Sequence, residues 1–457
     1  MPAFPGIRNS EAHDSTVLSA YSSIDSEMKK LYLRFCIIQA SYWSFFAALP
    51  AYLTARMLDR GMNPSTLGIL VSVYMGCSFV GTIFWSRFVD RFRAAKKFVI
   101  SGLIASASLS LLVYLSAGRT ALLFIIYPLL GLIMSAIPTN IDSWVIAVTG
   151  QVEAGSKTRS FGALAYAFVI LACGQLISRV GYGPLPFISF TFAGILLASA
   201  FLQPELPSAA EVLSRIPSHY LRRHRTSARN SGHVSGRASG GGSTPAASEP
   251  PRSGAPAAPA TAAGLFRIPE FVLLVLMVFI TGTAVSPINS MKLPIFEEIG
   301  SGVAMLGVDS FIGCMIQAPL LILSGRLRRF RAEYRLIGAA FCMLLYAVLV
   351  MIARHPAVVV AGTFMMNAGF GLLLSTMREM TERSVDHALR TTANSITDVA
   401  YGSVSGMIAS LWSGFVIEGH GKAALGGLSA GLQCLALLIA VVIMIRSRRS
   451  TPDIRKA

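Results

Sequence analysis

The chain has 457 residues, of which 53% are hydrophobic and only 13% are charged, and its formal net charge is +17. Soluble domains carry roughly twice this charged fraction, so the composition excludes an ordinary water-soluble globular protein. The basic residues lie in loops between apolar runs, where rules of membrane orientation place them, so the charge does not indicate nucleic-acid binding.

Apolar runs of about 20 residues recur along the chain, and each is long enough to cross a bilayer as a helix. We predict an all-α polytopic membrane protein with twelve transmembrane helices in two six-helix pseudo-repeat bundles. The predicted spans are 31–55, 66–87, 98–117, 121–148, 160–179, 185–202, 268–290, 302–324, 335–353, 357–377, 392–416 and 425–445.

The segments outside the spans are polar. We predict an N-terminal tail at 1–28, a first bundle at 29–202, a second bundle at 267–446 and a C-terminal tail at 447–457. Residues 203–266 are rich in Ser, Gly, Ala and Pro and bury too little apolar surface to order themselves, so we interpret them as a flexible linker.

Cysteines and histidines give no sign of a metal centre. The six cysteines stand singly in apolar runs without a CxxC pair, which is typical of packing residues. The seven histidines all lie in tails or loops, which argues against a buried His-ligated metal. We expect no metal and no cofactor. We also expect no enzyme, because no catalytic cluster stands near a membrane interface.

Basic residues divide unequally between the two sides that twelve spans create. All but seven of the 39 Lys and Arg residues fall on the side with both tails and the linker. By the positive-inside rule, both termini are then cytoplasmic. We expect a multi-pass protein of the plasma (inner) membrane that contacts lipid, binds no nucleic acid and acts as a monomer.

Two basic hairpins mark an internal repeat. The first, at 86–97, follows the second span, and the other, at 324–332, follows the eighth. Aligned without a gap, both contain Arg-Phe-Arg-Ala, at 91–94 and 329–332. A repeat of about half the chain length within membrane sequence is typical of a duplicated transporter fold.

This organisation resembles the major facilitator superfamily. The loop motif of that superfamily is approximately Gly-x-x-x-Asp-Arg-x-Gly-Arg-Arg, and Asp90 and Arg91 match its acidic–basic pair. Ser86 replaces the first Gly, and Arg328 takes the Asp position in the second copy. We predict that Asp90, Arg91 and Arg329 act in gating, as a cytoplasmic latch between the halves. The alternative is that the charges only set topology, which requires no acid at position 90.

Three stretches are similar to the proton-symporter branch that contains the lactose, nucleoside and phenylpropionate permeases. They are Arg159-Ser-Phe-Gly at the start of span 5, Leu293–Gly300 before span 8, and Arg390-x-x-Ala-x-Ser at the start of span 11. The Gly-Pro-Gly-Gly element of drug–proton antiporters is missing from span 5. The resemblance implies symport by alternating access and favours uptake over export.

Three acids lie inside the predicted spans, although a charge at the bilayer centre costs roughly 2.5–3.5 kcal/mol. They are Asp142 in span 4, Asp309 in span 8 and Asp398 in span 11. A carboxylate in a partly dry cavity exchanges a proton near neutral pH, so we predict that these residues carry proton coupling. Asp142 is the first candidate, with Arg159 as its partner. The alternatives are a structural ion pair for Asp142, a wetter outer site for Asp309 and a helix contact for Asp398.

Polar and aromatic side chains are predicted to line the substrate site. The predicted set is Gln39, Tyr42, Trp43, Phe46, Trp144, Asn289, Gln317 and Asn367. The first four share one helical face, and aromatic rings beside an amide suit stacking and hydrogen bonding of a sugar, nucleoside or aromatic acid. For each single ring, helix packing is the alternative. Because no Lys or Arg lies near the middle of a span, we expect a neutral solute or a weak monoanion.

The sequence therefore predicts a secondary active transporter, in which protons drive symport of a small polar solute by alternating access. Two alternatives stay open at this point. One is an uncoupled facilitator or exporter of the same fold, and the other is a transporter-like receptor that binds its ligand without carrying it.

Overall fold

The computed structural model describes the backbone of residues 30–92, 94–149, 152–203, 262–327, 329–385 and 389–450. Within these ranges the chain is helical, and no strand occurs. Most of the predicted tails and linker lies outside the described residues. One helical turn, Ala262–Leu265, belongs to the end of the predicted linker.

The first half consists of six long helices in the predicted order. They are α1 (Lys30–Asp59), α2 (Pro64–Phe92), α3 (Ala95–Leu115), α4 (Thr120–Thr149), α5 (Val152–Val180) and α6 (Leu185–Phe201). A 3-10 turn at Pro50–Tyr52 interrupts α1, because a proline has no backbone N–H to donate within a helix. A break between Met134 and Ile137 divides α4 in the same way, with Pro138 in the turn that follows.

The second half begins with α7 (Pro269–Ser290), a short helix (Lys292–Glu298), α8 (Val303–Leu327), α9 (Ala332–Ile352) and α10 (Pro356–Ser384). Helix α11 starts at Arg390 and contains a π-helical turn at Ala400–Val404. It ends at Gly421, and α12 continues from there to Ser450. Gly421 has a φ of 73°, a conformation that glycine adopts without strain, so the two helices are separated by a single residue.

Nine of the described segments are long and apolar enough to cross a membrane. Two shorter apolar helices, Leu185–Phe201 and Val303–Gln317, occupy the positions of predicted spans 6 and 8. One of the nine, Thr392–Arg448, contains both α11 and α12. A count of twelve therefore fits this fold, and the chain is an integral multi-pass membrane protein.

Each half encloses its own hydrophobic core. Phe35, Phe45 and Trp144 are among the fully buried side chains of the first core, and Phe296 and Tyr346 belong to the second. The molecule is thus built from two helical bundles with an interface between them, and that interface is where a transporter site is expected.

The two bundles meet near one side of the membrane. We call the side at which α1 begins the inner side and the opposite side the outer side. At the outer end of α2, the backbone N–H of Ser65 donates a hydrogen bond to Glu418 Oε2 of α11 at 2.9 Å. About two helical turns further in, the Ser72 hydroxyl donates a hydrogen bond to the Met407 carbonyl at 2.8 Å. Polar contacts between backbone and side chain therefore join α2 to α11.

Helices α5 and α8 form the other outer contact, through glycines. A Cβ atom on Gly307 would lie 2.8 Å from the Ile170 carbonyl oxygen and 3.2 Å from Gly174 Cα. Only glycine permits this approach of two backbones, because any side chain would meet backbone atoms that cannot rotate away.

The mutation Gly307→Val is expected to hold the outer side open. The added side chain opposes the closed contact by about 1–3 kcal/mol, the usual cost of overpacking. Distances between spin labels at the outer ends of α5 and α8 should lengthen, and solute uptake should fall. Gly194→Val in α6 is the control, since a Cβ there has no neighbour within 4 Å. Unchanged label distances in the Gly307 variant would contradict the prediction.

Toward the inner side, α7 and α11 stay packed together through Phe271 and Ala393, whereas a gap lies between these two helices and α2. They border a cavity of 560 Å³ whose lining includes Phe79, Val275, Phe279 and Ile396. The hydrogen bonds between α2 and α11 thus lie on the outer side, whereas a cavity separates the inner part of α2 from the packed pair α7 and α11.

Candidate functional site

A polar cluster joins α1, α4 and α5 in the first half. Asp142 Oδ1 accepts a hydrogen bond from Gln39 Nε2 at 2.6 Å, and Oδ2 accepts one from Arg159 Nη1 at 3.0 Å. Gln39 is fully buried, whereas the Asp142 and Arg159 side chains are 21% and 55% exposed. The ion pair expected from the sequence is formed, and Gln39 fixes the second carboxylate oxygen. We call these three residues the first-half cluster.

An aromatic group lies beside this cluster. The Trp43 and Tyr166 rings meet edge to face with centroids 6.2 Å apart, and Phe46 lies 6.2 Å from Tyr166. Gly162 makes room for the indole, because a Cβ there would lie 2.3 Å from Trp43 Cδ1. Sequence reasoning missed Tyr166, although it follows Arg159 by two helical turns and so shares its face of α5. Trp43, Phe46 and Tyr166 are called the aromatic group below.

A second polar cluster occupies the other half. Lys292 Nζ forms an ion pair with Asp309 and donates a further hydrogen bond to Thr363 Oγ1 at 3.3 Å. The Asp309 side chain is completely buried, and that of Lys292 is 11% exposed. The Tyr346 hydroxyl lies close enough to Asp309 to interact with its charge, and it donates a hydrogen bond to Asn289 Oδ1 at 3.0 Å. These five residues form the second-half cluster.

The burial of Lys292 was not expected from the sequence, in which this residue falls in the outer loop between spans 7 and 8 and no Lys or Arg lies near the middle of a span. It begins the short helix after α7 and is turned into the bundle. The sequence feature that could have indicated its burial is the apolar residues on both sides of it, Met291 before it and a run that starts at Leu293 after it. A buried ammonium requires a counter-charge, which Asp309 supplies. The wetter environment considered for Asp309 is not observed.

The two halves of the candidate site face each other across the α5–α8 contact. Tyr166 interacts with Ser310, the residue after Asp309. The Phe168 and Phe311 rings lie 5.5 Å apart on the same two helices. These contacts lie inward of the Gly174–Gly307 approach. The aromatic group of one half therefore borders the second-half cluster of the other.

Two predicted substrate ligands lie within the first core instead. Trp144 is fully buried and packs edge-on against Phe35, with ring centroids 5.3 Å apart. Tyr42 is 1% exposed and donates its hydroxyl hydrogen bond to the Met134 carbonyl at 3.3 Å. Helix packing, the alternative considered for each ring, is the role observed for Tyr42 and Trp144, and neither enters the site discussed below.

The remaining polar candidates are dispersed. Asn367 is buried and donates to the Thr363 carbonyl in its own helix at 2.9 Å, where it packs over Gly313 of α8. Gln317 is half-buried in α8. Asp398 is exposed near the inner end of α11, and Arg378 of α10 is its charged neighbour. These residues do not join either polar cluster.

The predicted gating residues lie at the inner ends of α2 and α8. The side chain of Asp90 is outside the described residues. Arg91 and Arg329 are exposed, and each guanidinium lies over the ring of the phenylalanine that follows it, at 6.0 and 5.0 Å. Both contacts are local, so the described part of the chain contains no latch between the hairpins.

A polar pocket of 400 Å³ lies at the outer side, with walls from both halves. Arg56 pairs with Asp59 at 2.6 Å and lies between the Tyr114 and Tyr182 rings, 5.2 Å from each centroid. Glu297 enters the pocket from the second half. Burial, and then the charge of Asp59, raise the pKa of Glu297 above its ordinary value.

Protonation of Glu297 is expected to favour closure of the outer side. In the closed state its raised pKa means that the proton is held more tightly than when the carboxyl is hydrated, so closure strengthens as the pH falls through that pKa and weakens above it. Label distances across the pocket between about pH 4 and pH 8 measure this. Glu297→Gln should abolish the pH dependence and stay closed. Glu382→Gln, an exposed acid of α10, should retain it, and the same pH dependence in both variants would refute the assignment.

Comparison with known proteins gives the family of this chain. Residues 33–425 match the MFS_1 like family. No curated protein sequence matches the chain. The nucleoside transporter NupG superimposes with a TM-score of 0.68 at 12% identity, over 91% of this chain and 98% of that one.

Two further solved structures are similar. A D-xylose–proton symporter has a TM-score of 0.59 at 15% identity, over 92% of this chain and 97% of its own. An auto-inhibited POT family peptide transporter has a TM-score of 0.62 at 12% identity, over 94% and 99%. At these identities the structures establish the fold alone. Because the family match spans most of the chain, the protein belongs to the MFS_1 like family of the major facilitator superfamily.

Proposed function

We propose that the protein is a secondary active transporter that carries a small polar solute together with protons by alternating access. The family and the transporter fold support transport itself. The coupling proposal rests on the setting of Asp142. Its half-buried carboxylate is bound by the Arg159 guanidinium and the Gln39 amide, which belong to two other helices. We place the protein in the plasma (inner) membrane with both termini in the cytoplasm.

The contacts of Asp142 explain how one proton would move helices. The charged carboxylate accepts hydrogen bonds from both Gln39 and Arg159. A neutral carboxyl attracts the guanidinium far less, and one of its oxygens becomes a donor. Protonation would therefore release α5 from α4, and deprotonation would restore the pair. The 21% exposure of the Asp142 side chain gives the proton a path from water.

The distribution of contacts between the halves supports alternating access. The outer side is held by backbone approaches and single hydrogen bonds, and a cavity lies between the inner part of α2 and the packed pair α7 and α11. Few side chains need to rearrange when such an interface opens, which suits rigid-body rocking of two bundles. We infer that the described conformation faces inward.

The solute is proposed to lie between the aromatic group and the second-half cluster. Trp43 Nε1 is buried and has no hydrogen-bond partner among the described residues, so a donor is left for a ligand. Ring faces on one side and polar groups on the other suit a sugar, a nucleoside or an aromatic acid.

The test is transport by the purified protein in proteoliposomes. Labelled sugars, nucleosides and aromatic acids are offered with and without a pH gradient that is alkaline inside. We expect one class to accumulate above its external concentration only when the gradient is present, and a protonophore to abolish this. Uptake that stops at equilibrium under both conditions indicates an uncoupled facilitator. Binding without uptake indicates a receptor.

A further inference from the structure

We propose that Lys292 binds the single negative charge of an organic anion, and that Asp309 covers this site until it takes up a proton. The inference rests on the proposed transport function and narrows its substrate class to monoanions. Among the described residues, Lys292 has the one buried ammonium group that faces the region between the halves.

The geometry of the pair leaves it incompletely bonded. Two hydrogens of the Lys292 ammonium are directed to Asp309 and Thr363, and the third has no acceptor in the part of the chain described. Asp309 Oδ1 is buried and has no hydrogen-bond partner among the described residues. In an ion pair with a purely structural role, both groups would have all their hydrogen-bond partners. A site that exchanges its ligand needs groups that are left without a partner, as these two are.

Charge balance connects the anion to a proton. The described ion pairs of the two clusters, Asp142–Arg159 and Asp309–Lys292, are each neutral. An anion that entered alone would add an uncompensated charge to a region of low dielectric constant. A proton and a monoanion together add none. One solute charge therefore requires one proton.

The exchange involves one proton transfer and no other change of bonds. The Asp309 carboxylate takes up a proton from water and becomes a neutral carboxyl, while Lys292 remains an ammonium throughout. Lys292 then exchanges Asp309 for the anionic group of the solute. When the solute leaves on the other side, Asp309 releases its proton and recovers Lys292.

Few titratable groups surround this exchange. Tyr346 of α9 and Tyr166 of α5 face Asp309, and Cys314 of α8 faces Lys292. None of these three residues has a carboxyl group that would share the proton with Asp309. Because Tyr166 belongs to the aromatic group, the body of a bound anion would rest on rings while its charge contacts Lys292.

Asp309→Asn provides the sharpest test, because its amide resembles the protonated carboxyl. Binding is measured by thermal stabilisation of the full-length protein with a panel of aromatic and aliphatic monocarboxylates, each paired with its neutral amide. In the wild type, affinity for a carboxylate should fall as the pH rises, by up to about tenfold per pH unit, because one proton is bound together with each anion. At pH 8, Asp309→Asn should bind carboxylates more tightly than the wild type, because its amide leaves Lys292 free without taking up a proton.

A second variant keeps the test decisive if the single change destabilises the fold. Lys292→Gln combined with Asp309→Asn removes both charges and should lose carboxylate binding at every pH, whereas Glu270→Gln, an exposed acid of α7, should behave as the wild type. Carboxylate binding retained by the double variant, or no gain at pH 8 in Asp309→Asn, would overturn the proposal. If neutral solutes accumulate with the pH gradient and carboxylates do not, the transport function stands and this inference fails.

Discussion

Asp142→Asn is expected to remove the proton-driven accumulation of solute that depends on this residue, while leaving passive exchange intact. The amide keeps the shape of the carboxylate and can still accept a hydrogen bond from Arg159, but it cannot take up or release a proton. One proton carried by Asp142 per solute supports about tenfold accumulation for each pH unit of gradient, and the variant should lose this tenfold contribution. Uptake with the gradient and counterflow without it are measured in the same proteoliposomes.

Asp142→Glu is the matched control, because it preserves the titratable group between Gln39 and Arg159. Accumulation should persist in this variant, although the longer side chain disturbs the two hydrogen bonds. If Asp142→Asn accumulates solute as the wild type does, the proton is carried elsewhere and the coupling proposal fails for this residue.

Lys292→Met is expected to destabilise the protein by about 3–5 kcal/mol, since the change leaves Asp309 buried without its counter-charge. The double variant with Lys292→Met and Asp309→Leu should recover most of this loss, because replacing both partners by apolar residues is often neutral. Thermal unfolding in detergent micelles, followed by intrinsic fluorescence, compares the three proteins.

Lys422→Met supplies the control for this double-variant comparison. Lys422 lies 4.0 Å from Glu298, whose side chain is 40% exposed, so the loss of this ion pair should cost less than about 1 kcal/mol. Equal unfolding temperatures for the single and double variants at Lys292 and Asp309 would show that the two charges are not coupled.

The helices could be predicted from hydropathy, but their ends could not. The predicted tenth span stops at 377, whereas α10 continues to Ser384. Its last turns are charged, and Glu379 holds both Arg335 of α9 and Arg383. A hydropathy window ends where charges begin. A helix continues as long as its charges are paired, and one of the two partners of Glu379, Arg335, lies 44 residues away in the sequence.

The parts of the candidate site that could be predicted are those formed by helices that follow each other in the sequence. Asp142 and Arg159 lie at the facing ends of consecutive helices, so their pairing follows from topology. The depth of Lys292 does not, because a residue beside a helix end turns either to water or into the bundle. Helical periodicity groups Tyr42 with Trp43 but does not say which face meets the other half, and the structure buries Tyr42 within its own bundle.

The π-helical turn at Ala400–Val404 gives α11 a means of moving one end independently of the other. A π turn holds one residue more than the α turn it replaces. Its conversion to regular α-helix would rotate Arg390–Val399 by about 100° relative to the outer part, the angle between successive residues. Asp398 would then point in a new direction, while Glu418 remained on Ser65. Helix α11 can thus rotate its inner segment, which carries the charge of Asp398, while its outer segment stays attached to α2.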